Sequence, residues 1–225
     1  MASASASEAL RWKIRWAAHL IEPSTEAFWQ HPRLADMFPE FLIALYGSVR
    51  ATVPLMRMAA EVARAAGDAD SLCRGLSAYF QQHITEELDH DEWLLADLEA
   101  LGYTRETVIS RLPNRAIAAM VGAQYYWILH AHPVTLLGFF AVLEGYPPCL
   151  DDLEAVEQRT GLPPQAFRML RHHAELDGEH ANELFALVDT LPLSDYHHEL
   201  LGVSALHTVS TARMLFDGLV ERFQT

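Results

Sequence analysis

A chain of 225 residues is long enough for one sizeable domain with a real core, and an apolar content of 51% excludes a disordered chain. Its formal charge of −14, from 16 basic and 30 acidic residues with no Lys/Arg cluster, argues against nucleic acid and anionic membrane surfaces as partners. Cys73 and Cys149 lie far apart without a CxxC, which agrees with a reducing compartment. The N-terminus lacks a basic region followed by an apolar stretch, and no uncharged apolar run reaches ~18 residues. A soluble, cytoplasmic protein is expected.

In chain order, residues 1–7 read as a disordered Ser/Ala-rich tail. Ser7 is expected to cap a helix from Glu8 that carries Leu10, Ile14 and Ala17 at helical spacing. Pro23 is expected to break it, and a short helix to follow through Trp29. A long helix is predicted over 39–66, kinked at Pro54 and closed by Gly67. The next helix is expected to open near residues 68–70, run unbroken to Leu101 and stop at Gly102. A short helix over 104–111 precedes one capped by Asn114, which ends before Pro133. Residues 133–144, PVTLLGFFAVLE, are strongly apolar and read as a buried helix. A short amphipathic helix over 150–160 closes at Gly161. A long helix from the Pro163-Pro164 pair to Thr190 and a last helix from Asp195 to about Phe223 complete the chain. No segment shows the alternation of a strand. The reading is a single all-α domain over 8–225, with seven to nine helices.

Two of these helices carry the same pattern. In YFQQHITEELDHDEWLL, His83, Glu87 and His90 stand at i, i+4 and i+7; in RHHAELDGEH, His173, Asp177 and His180 repeat it. On a continuous helix such positions share one face. Taking His83 as zero at about 100° per residue, His90 falls near −20°, Glu87 near +40° and Glu86 near −60°. Geometry alone does not choose between the two glutamates. In the second copy Asp177 takes the slot of Glu87 and Leu176 that of Glu86, which favours Glu87 as a ligand and Glu86 as its hydrogen-bonding neighbour. The flanks are apolar or aromatic, so the stripe points inward, where a carboxylate needs a cation or a metal. Glu144, the one acid ending an apolar helix, is a third carboxylate candidate. Four imidazoles and three carboxylates without thiolate suit iron or manganese, and Glu-x-x-His spacing is used in dimetal bundles. No P-loop, G-x-G-x-x-G or G-x-S-x-G is present.

On the segments HITEELDHDEWLLADLEALG, LGFFAVLEG and HAELDGEHANELFALVD, the chain resembles the heme-oxygenase-like diiron oxidases and oxygenases, or iron-containing redox enzymes. The resemblance implies a heme-oxygenase-like bundle of seven or more helices holding two Fe ions that cycle between Fe2+ and Fe3+, with O2 as co-substrate. It carries a ligand pattern over to Glu87, His90, Glu144, His173, Asp177 and His180. His83 takes a position where members carry either glutamate or histidine. The implied activity is oxidation of a small amine, amino acid or carboxylic acid by N-oxygenation, C–C cleavage or desaturation, in specialised-metabolite biosynthesis. The expected partners are a small-molecule substrate and an external electron donor, with assembly as a homodimer compatible. The alternatives are a non-catalytic iron-binding or metal-dependent interaction protein, and a metal-free enzyme of thiaminase-II type on the same fold.

Overall fold

The computed structural model describes residues 4–224, apart from the side chains of Asp68 and Asp177, and its regular elements are all helical. In order they are α1 (Ala6–Trp29), α2 (Leu34–Ala66), α3 (Ser71–Glu86), α4 (His90–Ala100), α5 (Arg105–Ile109), α6 (Arg115–His130), α7 (Thr135–Leu143), α8 (Leu150–Thr160), α9 (Arg168–Thr190) and α10 (Asp195–Phe223). Single 3-10 turns precede α3 and α9.

Three sequence expectations are corrected. Ser5 rather than Ser7 caps α1, in a reciprocal box with Glu8. Ser7 is instead buried, its amide and hydroxyl both bonded to Asp189 at the far end of α9. Of the expected tail, residues 5–7 cap and open α1, and residues 1–3 lie outside the described residues. Pro23 does not break α1: it sits on the outer face of the helix, where the carbonyl it leaves unbonded meets water. Likewise α2 starts at Leu34 and carries both Pro39 and Pro54.

The third correction bears on function. The predicted helix through Leu101 is two helices, α3 and α4, parted at Glu87–Asp89. Asp89 is in the left-handed region at φ 68°, which Asp tolerates better than most residues. The cause is legible in the charges. Glu86, Glu87, Asp89, Asp91 and Glu92 would crowd like charges at i, i+3 and i, i+4 on one continuous helix. Breaking the helix creates a new N-terminus where Asp91 and Glu92 occupy the first turn and face the positive end of the dipole.

The core has two parts, and the break lies between them. One gathers Leu72, Leu76 and Phe80 of α3 with Leu55 and Met56 of α2, Phe139 and Phe140 of α7, and Leu184 and Phe185 of α9. The other gathers Leu94, Leu95 and Leu98 of α4 with Phe28, Phe38 and Phe41, and with Phe167, Met169 and Leu170 at the start of α9. Thus α9 feeds one core up to Leu170 and the other from Ala181, and the interval holds RHHAELDGEH. The two polar motifs share one level, a waist between two apolar cores. Gly138 sets how closely α7 approaches α10 there: a Cβ at this position would lie 2.4 Å from the carbonyl oxygen of Leu201. No helix among the described residues is long and apolar enough to cross a membrane.

Candidate metal centre

The waist gathers its His and acid side chains into two triplets. His83, Glu144 and His180 offer ligand atoms that all lie within 4.8 Å of one another, and so do Glu87, His90 and His173. Each triplet is two imidazoles and one carboxylate. His83 stands in the last turn of α3, Glu87 is the C-cap residue of α3, and His90 is the first residue of α4. The break therefore sends His83 to one triplet and Glu87 and His90 to the other. On an unbroken helix all three would stack on one stripe, as the sequence expectation had it. Glu144 is the C-cap residue of α7, and His173 and His180 lie two turns apart on α9. Asp177 falls between these two on α9, but its side chain lies outside the described residues.

In the first triplet His83 is buried between carboxylates. Its Nε2 is 2.9 Å from Oε1 of Glu144 and its Nδ1 is 3.1 Å from Oε2 of Glu86. Burial pulls its pKa down, but the Glu144 hydrogen bond and the charges of Glu144, Glu87 and Glu86 prevail and raise it to about 9. His180 stacks edge-on against His83, with Nε2 3.7 Å from Glu86. Glu86, a third exposed, thus takes the outer nitrogen of His83 and fixes the ring so that Nε2 faces Glu144. That is how a carboxylate commonly orients a metal-binding histidine.

In the second triplet Nδ1 of His90 is 3.1 Å from Oε2 of Glu87. Burial raises the Glu87 pKa, but the hydrogen bond and charge of His90, with His173 and His83, outweigh it and hold the carboxyl below its usual range. The rings of His90 and His173 lie 5.0 Å apart. Asp97 steadies this end of α9 by accepting the Met169 amide at 2.8 Å, while burial raises its own pKa to about 6.

Three ring-bearing neighbours surround the triplets, two of them the aromatic flanks of the first motif and the third unforeseen. The Tyr79 ring stacks on His83 at 5.4 Å and 15°. Trp93 packs on His90 at 4.8 Å, and His172 packs on both Trp93 and His90. Tyr79 and Trp93 stand four residues before His83 and three after His90, so helical register was the available signal. His172 has no such signal: only the tertiary packing of α4 on α9 brings it in. A further His/acid cluster was also missed, Asp70–Cys73–His132, from the start of α3 and the turn before α7.

The residues of the two triplets fit a pair of first-row metal ions. Donor–metal bonds of about 2.0–2.2 Å place neighbouring donor atoms about 3 Å apart and opposed ones about 4 Å, and the 2.9 Å and 4.8 Å limits above bracket that range. Oε1 of Glu87 and Nδ1 of His180 are buried without a hydrogen-bond partner among the described residues. Buried polar atoms without partners are rare and costly in folded proteins. Two imidazoles with one carboxylate is also the ligand set that non-heme Fe(II) oxygenases use with open coordination positions.

Solved structures similar to this chain share its architecture. A domain of unknown function with a heme-oxygenase-like fold from Shewanella denitrificans superposes with a TM-score of 0.79 at 18% identity, covering 93% of this chain and 91% of that one. A TenA homologue from Pseudomonas syringae gives 0.69 at 14%, with 92% of each chain covered. A CADD-like protein of unknown function from Nostoc punctiforme gives 0.61 at 13%, covering 94% and 100%. No curated protein matches the sequence. At these identities the structural likeness shows the fold alone. The family model for iron-containing redox enzymes, however, matches residues 40–206, which span both motif helices and Glu144. The chain is a member of that family, with a heme-oxygenase-like fold.

Proposed function

We propose that this protein is a non-heme diiron oxidase or oxygenase that uses O2 to oxidise a small amine, amino acid or carboxylic acid. The observation that carries this reading is the pairing of two His–His–carboxylate triplets in one buried waist, with polar atoms of Glu87 and His180 left unsatisfied by protein. His83, Glu144 and His180 would hold one iron, and Glu87, His90 and His173 the other. Asp177 is assigned to the set on its register in α9 alone. Bound iron would supply one-electron redox chemistry and open positions for O2 and substrate.

The chain's own residues do the rest. The cores above and below the waist exclude water, which strengthens every electrostatic interaction inside it. Glu86 holds the His83 ring by Nδ1 so that Nε2 is presented to the site. With iron absent, His83 bonded to two carboxylates keeps its proton up to about pH 9, so metal binding displaces a proton from this ring. Three carboxylates against two divalent ions leave about one positive charge, which favours an anionic ligand or substrate.

Likeness to the TenA homologue supports a second reading, metal-free chemistry of thiaminase-II type on the same fold. Chelation separates the two. Exhaustive removal of iron should abolish O2 consumption with the physiological substrate class, whereas activity that survives chelation would favour the metal-free enzyme. Uptake of many irons per chain would instead indicate storage.

A further inference from the structure

The buried unpartnered atoms of the waist include one that lies outside both triplets. The hydroxyl of Tyr79 is buried and makes no hydrogen bond. Its ring lies flat against His83, and the carboxylates nearest it electrostatically are Glu144, Glu86 and Glu183. A phenol is protonated at neutral pH, so Tyr79 is a donor with an unused hydrogen. A buried hydroxyl without a partner is costly, and a Phe would avoid that cost with the same stacking. We propose that Tyr79 donates a hydrogen bond to the exogenous ligand, a small anion or an oxygen-bearing substrate group, that enters at the His83–Glu144–His180 triplet. The inference rests on the diiron reading and deepens it: Tyr79 becomes a ligand-positioning residue at one of the two metal positions, which makes the two positions unequal. The second triplet has Trp93 in the corresponding place, stacked on His90. Trp93 is only half-buried, and its indole N–H is not among the buried atoms without a partner, so the buried, unused donor stands at the first triplet.

Azide binding to the Fe(III)-loaded protein tests this without reference to turnover. Tyr79→Phe should keep the iron content of the wild type and bind azide about tenfold more weakly, the loss of one hydrogen bond to a charged group. In wild type the azide stretching band should shift on transfer to D2O, and in Tyr79→Phe it should not. Should the variant fail to fold, replacing tyrosine throughout by 3-fluorotyrosine, whose phenol donates more strongly, should move the same band in the intact protein. Equal azide affinities with equal isotope shifts, or a band indifferent to fluorination, would overturn the role of Tyr79 and leave the diiron reading standing. A wild-type protein that takes up no iron would remove both.

Discussion

The molecule holds two kinds of His/acid cluster, and they differ in whether the protein alone satisfies them. At the start of α3, Asp70 accepts the Leu72 amide at 2.9 Å and sits 2.9 Å from Nε2 of His132, while Nδ1 of His132 accepts the Val134 amide at 3.1 Å. With its Nδ1 lone pair engaged, neutral His132 must carry its proton on Nε2 and donate it to Asp70. The Cys73 thiol lies 3.7 Å from the same nitrogen. Burial foremost, then the Asp70 charge, pushes this thiol up to about 11, so it stays protonated and unreactive. No side-chain atom of this cluster is both buried and unpartnered. It is a clip that ties α3 to the turn before α7. The waist has similar residue types within similar distances, yet leaves Glu87, His180 and Tyr79 with unmet polar atoms. Proximity of ligand-type residues does not by itself mark a candidate metal centre; unmet hydrogen-bonding demand at some of their ligand atoms sets the waist apart from the clip.

The largest effects should come from the carboxylates of the two triplets. Glu87→Ala and Glu144→Ala should each reduce iron from about two per chain to about one, with affinity at the altered position falling by roughly 100-fold or more. Loss of both ions from either single variant, measured by metal analysis after desalting, would show that the triplets act as one site.

Next comes pH. His83 binds a proton up to about pH 9 in the metal-free protein, so Fe(II) affinity should rise with pH by about tenfold per unit over pH ~6.5–9 and then level off. The sign reverses for the stability of the metal-free fold. A raised histidine pKa stabilises fully below the unfolded value of ~6.5, and that contribution fades as pH climbs through 9. A flat Fe(II) affinity across this range, read by competition with a chelator of known pH dependence, would contradict the placement of His83 in the site.

Glu86→Gln should weaken iron binding by roughly tenfold without removing either ion, since Glu86 orients His83. The smallest effect belongs to the clip. His132→Ala should leave iron uptake untouched while lowering stability by about 1–2 kcal/mol in a denaturant titration. Co(II) added to the wild type should give no thiolate-to-metal absorption band, because Cys73 stays a thiol.

Much of this was legible in the sequence, for physical reasons that can be named. The elements from α5 to α10 follow caps and stops that act locally: Thr104, Asn114 and Ser194 each cap their helix through a side-chain oxygen, and Gly161 turns left-handed after α8. Pro23 misled because it sits on an exposed face, where the carbonyl it leaves unbonded is open to solvent, so the amphipathic drive of α1 prevails. The repeated His–acid–His spacing marked the residues of the waist, but not how they divide. That division needs the break at Asp89, and the acid run that causes it is visible in the sequence only once its charges are counted against a continuous helix. The clip was missed because His132 meets Asp70 across 62 residues, with no periodicity to signal it.

Anaerobic Fe(II) reconstitution followed by iron analysis is the most direct test of the account, run on the wild type, on Cys73→Ala, and on His90→Ala combined with His180→Ala. The account predicts about two irons per chain in the first two proteins and essentially none in the third. A wild-type protein that retains no iron, or a double variant that binds as much as the wild type, would contradict it.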